Sequence, residues 1–192
     1  MPETRDIMAR MTVTICGLDE LVFHRKSGIT HVLSILDPGW PEPVEFGYWD
    51  PHDLLRLRFH DVIEDGAETG MDAPAADHVA SLLEFGRGLP ADEPVHLLVH
   101  CHAGISRSTA AAILLMAQRE PARDPHDIVA EIVSQRPKAW PNLRIVEMGD
   151  RMLDRGGNLV DAARRRHREV AAARPDIARM MREGGRGREV DG

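Results

Sequence analysis

The sequence has few cysteines and no long apolar run. Cys16 and Cys101 are its only cysteines, too few for the disulfide framework of a small secreted protein. No apolar stretch approaches the roughly 18 residues that a membrane span needs, and the N-terminal residues 1–10 lack the apolar core of a signal peptide. These absences predict a cytoplasmic protein without a membrane partner.

Excess positive charge is also absent. The net charge is −7 and the isoelectric point is about 5.8, so the chain lacks the basic field of a general nucleic-acid-binding protein. No nucleic-acid partner is therefore expected. The 192 residues, 43% hydrophobic and 29% charged, are typical of one globular domain with a short appendage. Arginine is concentrated in the segment after Gly156.

Short β-branched or apolar segments alternate with helical patterns along the chain. This alternation predicts an α/β fold with a central, mostly parallel sheet flanked by helices. Asp124 and Pro125 are typical of a helix N-cap and first helical residue. The predicted strands cover residues 12–16, 29–36, 54–59 and 95–99.

Residues 37–53 are too rich in proline and glycine for a long regular element. They contain two of the three tryptophans and the only tyrosine. Two interpretations stay open here, a loop pinned to the body by its aromatic side chains or a substrate-recognition loop.

The most informative segment is His-Cys-His-Ala-Gly-Ile-Ser-Arg-Ser, residues 100–108, between a predicted buried strand and a predicted helix. With this composition, such a pattern is expected by chance only roughly 10⁻⁴ times. A short loop ending at a helix N-terminus directs backbone N–H groups towards an anion, and Gly104 can adopt the positive φ that such a loop needs. Arg107 can bind two phosphate oxygens at once. The same positive surroundings stabilise a thiolate, so Cys101 is expected to be a nucleophile.

This segment resembles the signature of the cysteine-based protein tyrosine phosphatase superfamily, in the form found in dual-specificity phosphatases, and we expect a bacterial type. Residues 136–143 (RPKAWPNL) are similar to the family segment in which an asparagine, here Asn142, braces the catalytic loop. The resemblance implies a dual-specificity-phosphatase-like catalytic domain over residues 11–155. Residues 1–10 are then an N-terminal extension, and residues 156–192 an Arg-rich tail, helical or partly disordered.

The resemblance also implies roles for individual residues. Cys101 attacks the phosphoryl group, Arg107 stabilises the charge in transit, and the hydroxyl of Ser108 helps the thiolate to leave. His100 supports the loop, and neither metal nor cofactor is needed. The remaining loop residues bind the substrate phosphate: His102, Ala103, Gly104, Ile105 and Ser106.

In the family, an upstream aspartate protonates the leaving group. Asp61, just past the predicted strand at 54–59, is the first choice, and Asp65 is the second. Glu64 and Asp72 are interpreted as surface charges.

The sequence thus predicts hydrolysis of phosphomonoesters on a phosphorylated protein or small molecule, with protein phosphotyrosine first and phosphoserine or phosphothreonine as possible additions. The alternatives are a phosphatase of a small-molecule or RNA phosphate and a phosphate-binding module without turnover. Two other interpretations of Cys101 stay open. It could be an inert thiol in the core, or it could bind a metal together with His100 and His102, although the usual further ligands are missing from the sequence. Cys16 is interpreted as a core residue. The alternative is that it forms a reversible disulfide with Cys101.

Overall fold

The computed structural model describes residues 11–64 and 70–192. The predicted N-terminal extension, residues 1–10, lies outside them. A four-stranded sheet has the order β1-β4-β2-β3, and every neighbouring pair is parallel. This arrangement confirms the predicted α/β fold with a parallel sheet. The strands are β1 (Met11–Cys16), β2 (His31–Leu36), β3 (Asp53–Arg58) and β4 (Val95–His100).

The sheet is covered on both faces, which explains the nearly continuous apolar sequence of β4. Alternate residues of a strand point to opposite faces, and β4 follows this rule. Leu97 and Val99 belong to the main hydrophobic core, whereas Leu98 belongs to a smaller cluster. Two 3₁₀ helices, Leu18–His24 and Val44–Tyr48, contribute Leu21 and Phe46 to that smaller cluster.

The α-helices between residues 76 and 173 contribute to the main core on the other face. The most deeply buried of them is α2, which follows β4 directly. Asp124 is the predicted N-cap of α3, and its side chain accepts a hydrogen bond from the backbone N–H of His126 at 2.7 Å. The helices are α1 (Ala76–Gly88), α2 (Arg107–Arg119), α3 (Pro125–Gln135), α4 (Leu143–Met152), α5 (Asn158–Ala173), α6 (Pro175–Glu183) and α7 (Gly187–Asp191).

The segment expected to be an Arg-rich tail forms the three helices α5 to α7. Leu159 and Ala163 of α5 are fully buried in the main core. Asp150 at the end of α4 accepts hydrogen bonds from the N–H groups of Gly157 and Leu159, at 2.7 and 2.9 Å. The segment therefore differs from a solvated tail, because its alanine and leucine side chains bury apolar surface against α4. Where the catalytic domain ends along the chain stays a prediction.

Within the described ranges, none of the helices is both long and apolar enough to cross a membrane.

Candidate active site

The loop of residues 101–106 connects the carboxyl end of β4 to the first residue of α2, Arg107. Gly104 has a φ of +66°, in the left-handed region that favours glycine. It also packs directly on the end of β1, because a Cβ atom at this position would lie 2.6 Å from the backbone carbon of Cys16. Glycine is therefore required here both for its φ and for the close approach.

The outer side of the loop is held by hydrogen bonds to its carbonyl groups. Arg136 donates to the carbonyl oxygens of Ala103 and Gly104, at 3.0 and 3.1 Å, and is itself paired with Glu20 at 2.8 Å. The N–H of Leu18 donates to the carbonyl oxygen of His102 at 2.9 Å. Because a peptide N–H points away from its own carbonyl, these bonds favour N–H groups directed into the loop. The interior is thus suited to an anion.

Cys101 lies at the base of this loop, 3% exposed. Its Sγ is 3.2 Å from the Oγ of Ser108, which is fully buried in the first turn of α2. A hydroxyl at this distance can donate a hydrogen bond to a thiolate, and the N-terminus of α2 favours negative charge at the same place. The surroundings therefore suit a sulfur anion.

Arg107 spans the site beneath the loop. Its Nη1 donates to Asp37 Oδ1 and to the carbonyl oxygen of Phe59, both at 2.6 Å, and its Nη2 donates to His102 Nδ1 at 2.6 Å. Burial, followed by the charge of Arg107, lowers the pKa of His102 below its usual value, so the ring is a neutral acceptor. The Nε of Arg107 is buried and has no hydrogen-bond partner within the described residues. Arg107 therefore keeps a donor available in the site.

Asp61 is the candidate acid that the structure brings to the loop. Its Oδ1 accepts hydrogen bonds from Ser106 Oγ at 2.7 Å and from Asn142 Nδ2 at 2.8 Å, and it lies 3.1 Å from Nη1 of Arg186. Asn142 also caps α4 by accepting from the N–H of Ile145, and its own N–H donates to the carbonyl oxygen of Ser106. It thus connects Asp61, the loop and α4.

The other acid candidates are elsewhere or undescribed. Glu64 is exposed and pairs with Arg188 at 2.9 Å. Asp72 is exposed, and its backbone pairs with His60. Asp65 lies outside the described residues.

His100 is fully buried at the end of β4. Burial lowers the pKa of its ring from 6.5 to about 4, so the ring is neutral at physiological pH. Its Nδ1 is 3.4 Å from the carbonyl oxygen of Cys101, and its ring meets Phe46 edge-on at 5.5 Å. The side chain thus packs beneath the loop, as a supporting residue would, and that role stays a prediction.

The two tryptophans of residues 37–53 have different surroundings. Trp49 packs on Phe46, with ring centres 5.2 Å apart, and pins the loop to the body. Trp40 instead meets the ring of His102 edge-on, with centres 4.6 Å apart, and is 47% exposed. One aromatic ring thus lies partly exposed beside the loop of residues 101–106.

No family model and no curated protein matches the chain, but solved structures do. The human tyrosine phosphatase-like serine/threonine/tyrosine-interacting protein aligns with a TM-score of 0.53 and 19% identity, over 75% of this chain and 92% of that one. The PTP-2 phosphatase of Cydia pomonella aligns at 0.53 and 22% identity, over 71% and 83%. PTPMT1, solved in complex with PI(5)P, aligns at 0.52 and 14%, over 75% and 91%.

The chain has the fold of the dual-specificity phosphatases. The similar structures include tyrosine and dual-specificity phosphatases, so the resemblance inferred from residues 100–108 is confirmed at the level of the fold. Among the described residues, no group of three or more histidine, cysteine, aspartate or glutamate side chains could hold a metal ion.

Sequence reasoning missed three side chains that contact the loop or its arginine. Asp37 follows the carboxyl end of β2, and the rule that functional groups gather at the carboxyl ends of parallel strands could have found it. Arg136 begins the segment that resembles the family, but no role was assigned to it. Arg186 carries no local signal, because its contacts depend on how the last helices pack.

Proposed function

We propose that this protein hydrolyses phosphomonoesters, with protein phosphotyrosine as its main substrate, through a cysteinyl-phosphate intermediate. The observation that carries the proposal is the contact of Cys101 with Ser108 inside a loop that ends at α2 and Arg107. The fold supports phosphate-ester chemistry, since its structural neighbours include phosphatases. Phosphoserine and phosphothreonine are secondary substrates in this proposal.

In the first step, the thiolate of Cys101 attacks phosphorus in line with the leaving oxygen. The S–P bond forms and the P–O bond breaks, while Asp61 gives its proton to the leaving oxygen. The loop N–H groups and Arg107 stabilise the charge on the transferring group. The buried Nε of Arg107 is suited to this task, because it makes no competing hydrogen bond within the described residues.

In the second step, water attacks the phosphocysteine. The S–P bond breaks, and the proton lost by the water passes to the carboxylate of Asp61, which restores the acid. The sulfur leaves as a thiolate, and the hydroxyl of Ser108 at 3.2 Å donates a hydrogen bond to it. Each group thus returns to its starting state.

The preference for phosphotyrosine is supported by Trp40. Its half-exposed ring lies beside His102 of the loop, where it can pack against an aromatic ring attached to the bound phosphate. The loop contains no lysine that would favour a more highly charged inositol phosphate. Because PTPMT1 has been solved with PI(5)P, a phosphoinositide belongs in the substrate test.

The first experiment measures metal-free hydrolysis of p-nitrophenyl phosphate, with vanadate as inhibitor. Wild-type protein should turn over, and Cys101→Ser should lose at least about 10³-fold in kcat because its nucleophile is gone. Cys16→Ala is the matched control, since it removes the other cysteine and should keep activity. Activity retained in Cys101→Ser would exclude the nucleophile, whereas vanadate binding without wild-type turnover would indicate a phosphate-binding module.

The second experiment compares a phosphotyrosine peptide with its phosphoserine counterpart and with a short-chain PI(5)P. Wild-type protein should prefer the phosphotyrosine peptide. Trp40→Ala should raise KM for that peptide about 5- to 10-fold, the range of one aromatic contact, and change KM for the phosphoserine peptide little. A preference for PI(5)P, or equal effects of Trp40→Ala on both peptides, would contradict the assignment.

A further inference from the structure

The C-terminal end of the chain reaches the candidate active site. Arg186, directly before α7, is 8% exposed, and Glu189 within α7 is 1% exposed. Charged side chains are rarely buried so deeply unless they are paired. These two side chains therefore belong to a built contact rather than to a loose terminus.

Glu189 is fixed by the protein core. Its carboxylate accepts hydrogen bonds from Trp140 Nε1 at 2.6 Å and from the N–H of Leu143 at 2.9 Å. Leu143 is the first residue of α4, so the carboxylate also lies at a helix N-terminus, which favours negative charge. Glu189 is thus a fixed hydrogen-bond acceptor for Arg186, whose Nε and Nη2 donate to its carboxylate at 2.7 and 2.8 Å.

The other side of the Arg186 guanidinium faces the catalytic residues. Its Nη1 is 3.1 Å from Asp61 Oδ1, and its Nη2 donates to Ser106 Oγ at 3.0 Å. The Ser106 hydroxyl in turn donates to the same oxygen of Asp61 at 2.7 Å. Burial acts to lower the pKa of Arg186, but the carboxylates of Glu189 and Asp61 outweigh it and hold the pKa above its usual value. The Arg186 side chain is therefore a permanent cation between the side chains of Glu189 and Asp61.

Within residues 11–64 and 70–192, the side-chain contacts of Asp61 are on one oxygen. Ser106, Asn142 and Arg186 surround Oδ1, so this oxygen is occupied as an acceptor. A carboxylic acid that donates a proton must carry it on an oxygen free to donate, which here is Oδ2. Holding Oδ1 in place therefore also determines where the transferable proton lies.

We propose that Arg186 is a positioning residue for the general acid, holding the carboxyl group of Asp61 in one orientation against the phosphate-binding loop. The inference rests on the proposed function, and it assigns the C-terminal end of the chain a part in the reaction. Arg186 acts through Asp61 and Ser106 and does not contact the leaving group.

The test uses the dependence of rate on the leaving group. A displaced acid matters when the leaving oxygen needs a proton and matters little when it does not. In Arg186→Gln, kcat/KM for phenyl phosphate, a poor leaving group, should fall about 10- to 100-fold, the cost of a misplaced catalytic group. For p-nitrophenyl phosphate, a good leaving group, the fall should stay under about 3-fold.

Two further variants separate positioning from support of the fold. Arg182→Gln is the matched control, since Arg182 anchors α7 through Asp191 at 2.7 Å, away from Asp61 and the loop, and both rates should be unchanged. Arg186→Lys keeps the charge but loses the fork that joins Asp61, Ser106 and Glu189. It should show a smaller loss with the same dependence on the leaving group. It also keeps the proposal testable if the glutamine variant does not fold.

A double variant completes the design. If Arg186 works through Asp61, adding Arg186→Gln to Asp61→Asn should lower phenyl phosphate hydrolysis no further. Equal losses for both substrates in either Arg186 variant, or an additive loss in the double variant, would overturn the proposal. Wild-type turnover that is lost in Cys101→Ser establishes the proposed function independently of Arg186. A wild type without turnover would refute that function and this inference together.

Discussion

The two cysteines lie at the carboxyl ends of neighbouring strands, and their surroundings differ. Cys16 is the last residue of β1 and pairs in register with His100, the residue before Cys101. Burial, reinforced by the charge of Glu20, raises the pKa of Cys16 from 9.0 to about 12. Cys101 instead has the hydroxyl of Ser108 at 3.2 Å and the N-terminus of α2 beside it. Both side chains are almost fully buried, so the nearby donors, and not burial, distinguish the surroundings of Cys101 from those of Cys16.

Within this comparison, the largest effect is expected at Gly104, where the loop after β4 packs on the end of β1. In Gly104→Ala, the new methyl group meets backbone atoms of Cys16 and Gly17 at 2.6 to 2.7 Å, and φ is +66°. The loop must shift, so its N–H groups no longer point towards the bound phosphate. We therefore expect kcat/KM for p-nitrophenyl phosphate to fall by about 10²- to 10³-fold. Steady-state kinetics and vanadate binding measure the effect.

Gly28→Ala is the matched control for that substitution. Gly28 has a nearly equal φ of +67°, but a methyl group there would contact nothing within 4 Å. It should cost stability of about 1 kcal/mol and leave kcat/KM unchanged. Equal rate losses in the two variants would show that backbone strain, rather than the contact with Cys16, governs the loop.

A smaller effect, on the pH dependence of stability, is expected at His100, which pairs with Cys16 in the sheet and directly precedes Cys101. Its folded-state pKa of about 4 is below the ordinary 6.5, so between these values the unfolded chain binds more protons. The contribution of His100 is therefore fully present above pH 6.5 and is lost as pH falls towards 4, by on the order of 3 kcal/mol. Urea unfolding at several pH values measures it.

His100→Asn should flatten the pH dependence of stability in that window. If the free energy of unfolding of His100→Asn depended on pH as steeply as that of the wild type, the folded protein would bind a proton at His100 as readily as the unfolded chain does.

The smallest expected effect is on Cys16 itself. Its raised pKa predicts that iodoacetamide at pH 7 modifies Cys101 alone, because the thiolate is the reactive form. Mass spectrometry of digested protein should show one modified cysteine, protected by vanadate. A modified Cys16 would contradict the contrast drawn between the two thiols.

Local features of the site could be predicted because their causes lie close together along the chain. Residues 100–108 contain the end of a buried strand, a glycine suited to positive φ and an arginine at the start of a helix. The structure confirms the strand, the φ of Gly104 and the place of Arg107. The N-cap formed by Asp124 is equally local. The catalytic roles of Cys101, Ser108 and Asp61 stay predictions.

The partners of these residues were decided only by the tertiary structure. Asp37 meets Arg107 because β2 lies next to β4 in the sheet, an order that no local pattern determines. Arg186 reaches Asp61 and Ser106 because α7 folds back and Glu189 finds the N-terminus of α4. By itself, the sequence determined the loop between β4 and α2 and the alternation of strands and helices, since turn geometry and hydrophobic periodicity act over a few residues. The charges around the loop depend on long-range packing, because only the folded chain brings such distant residues within hydrogen-bonding distance.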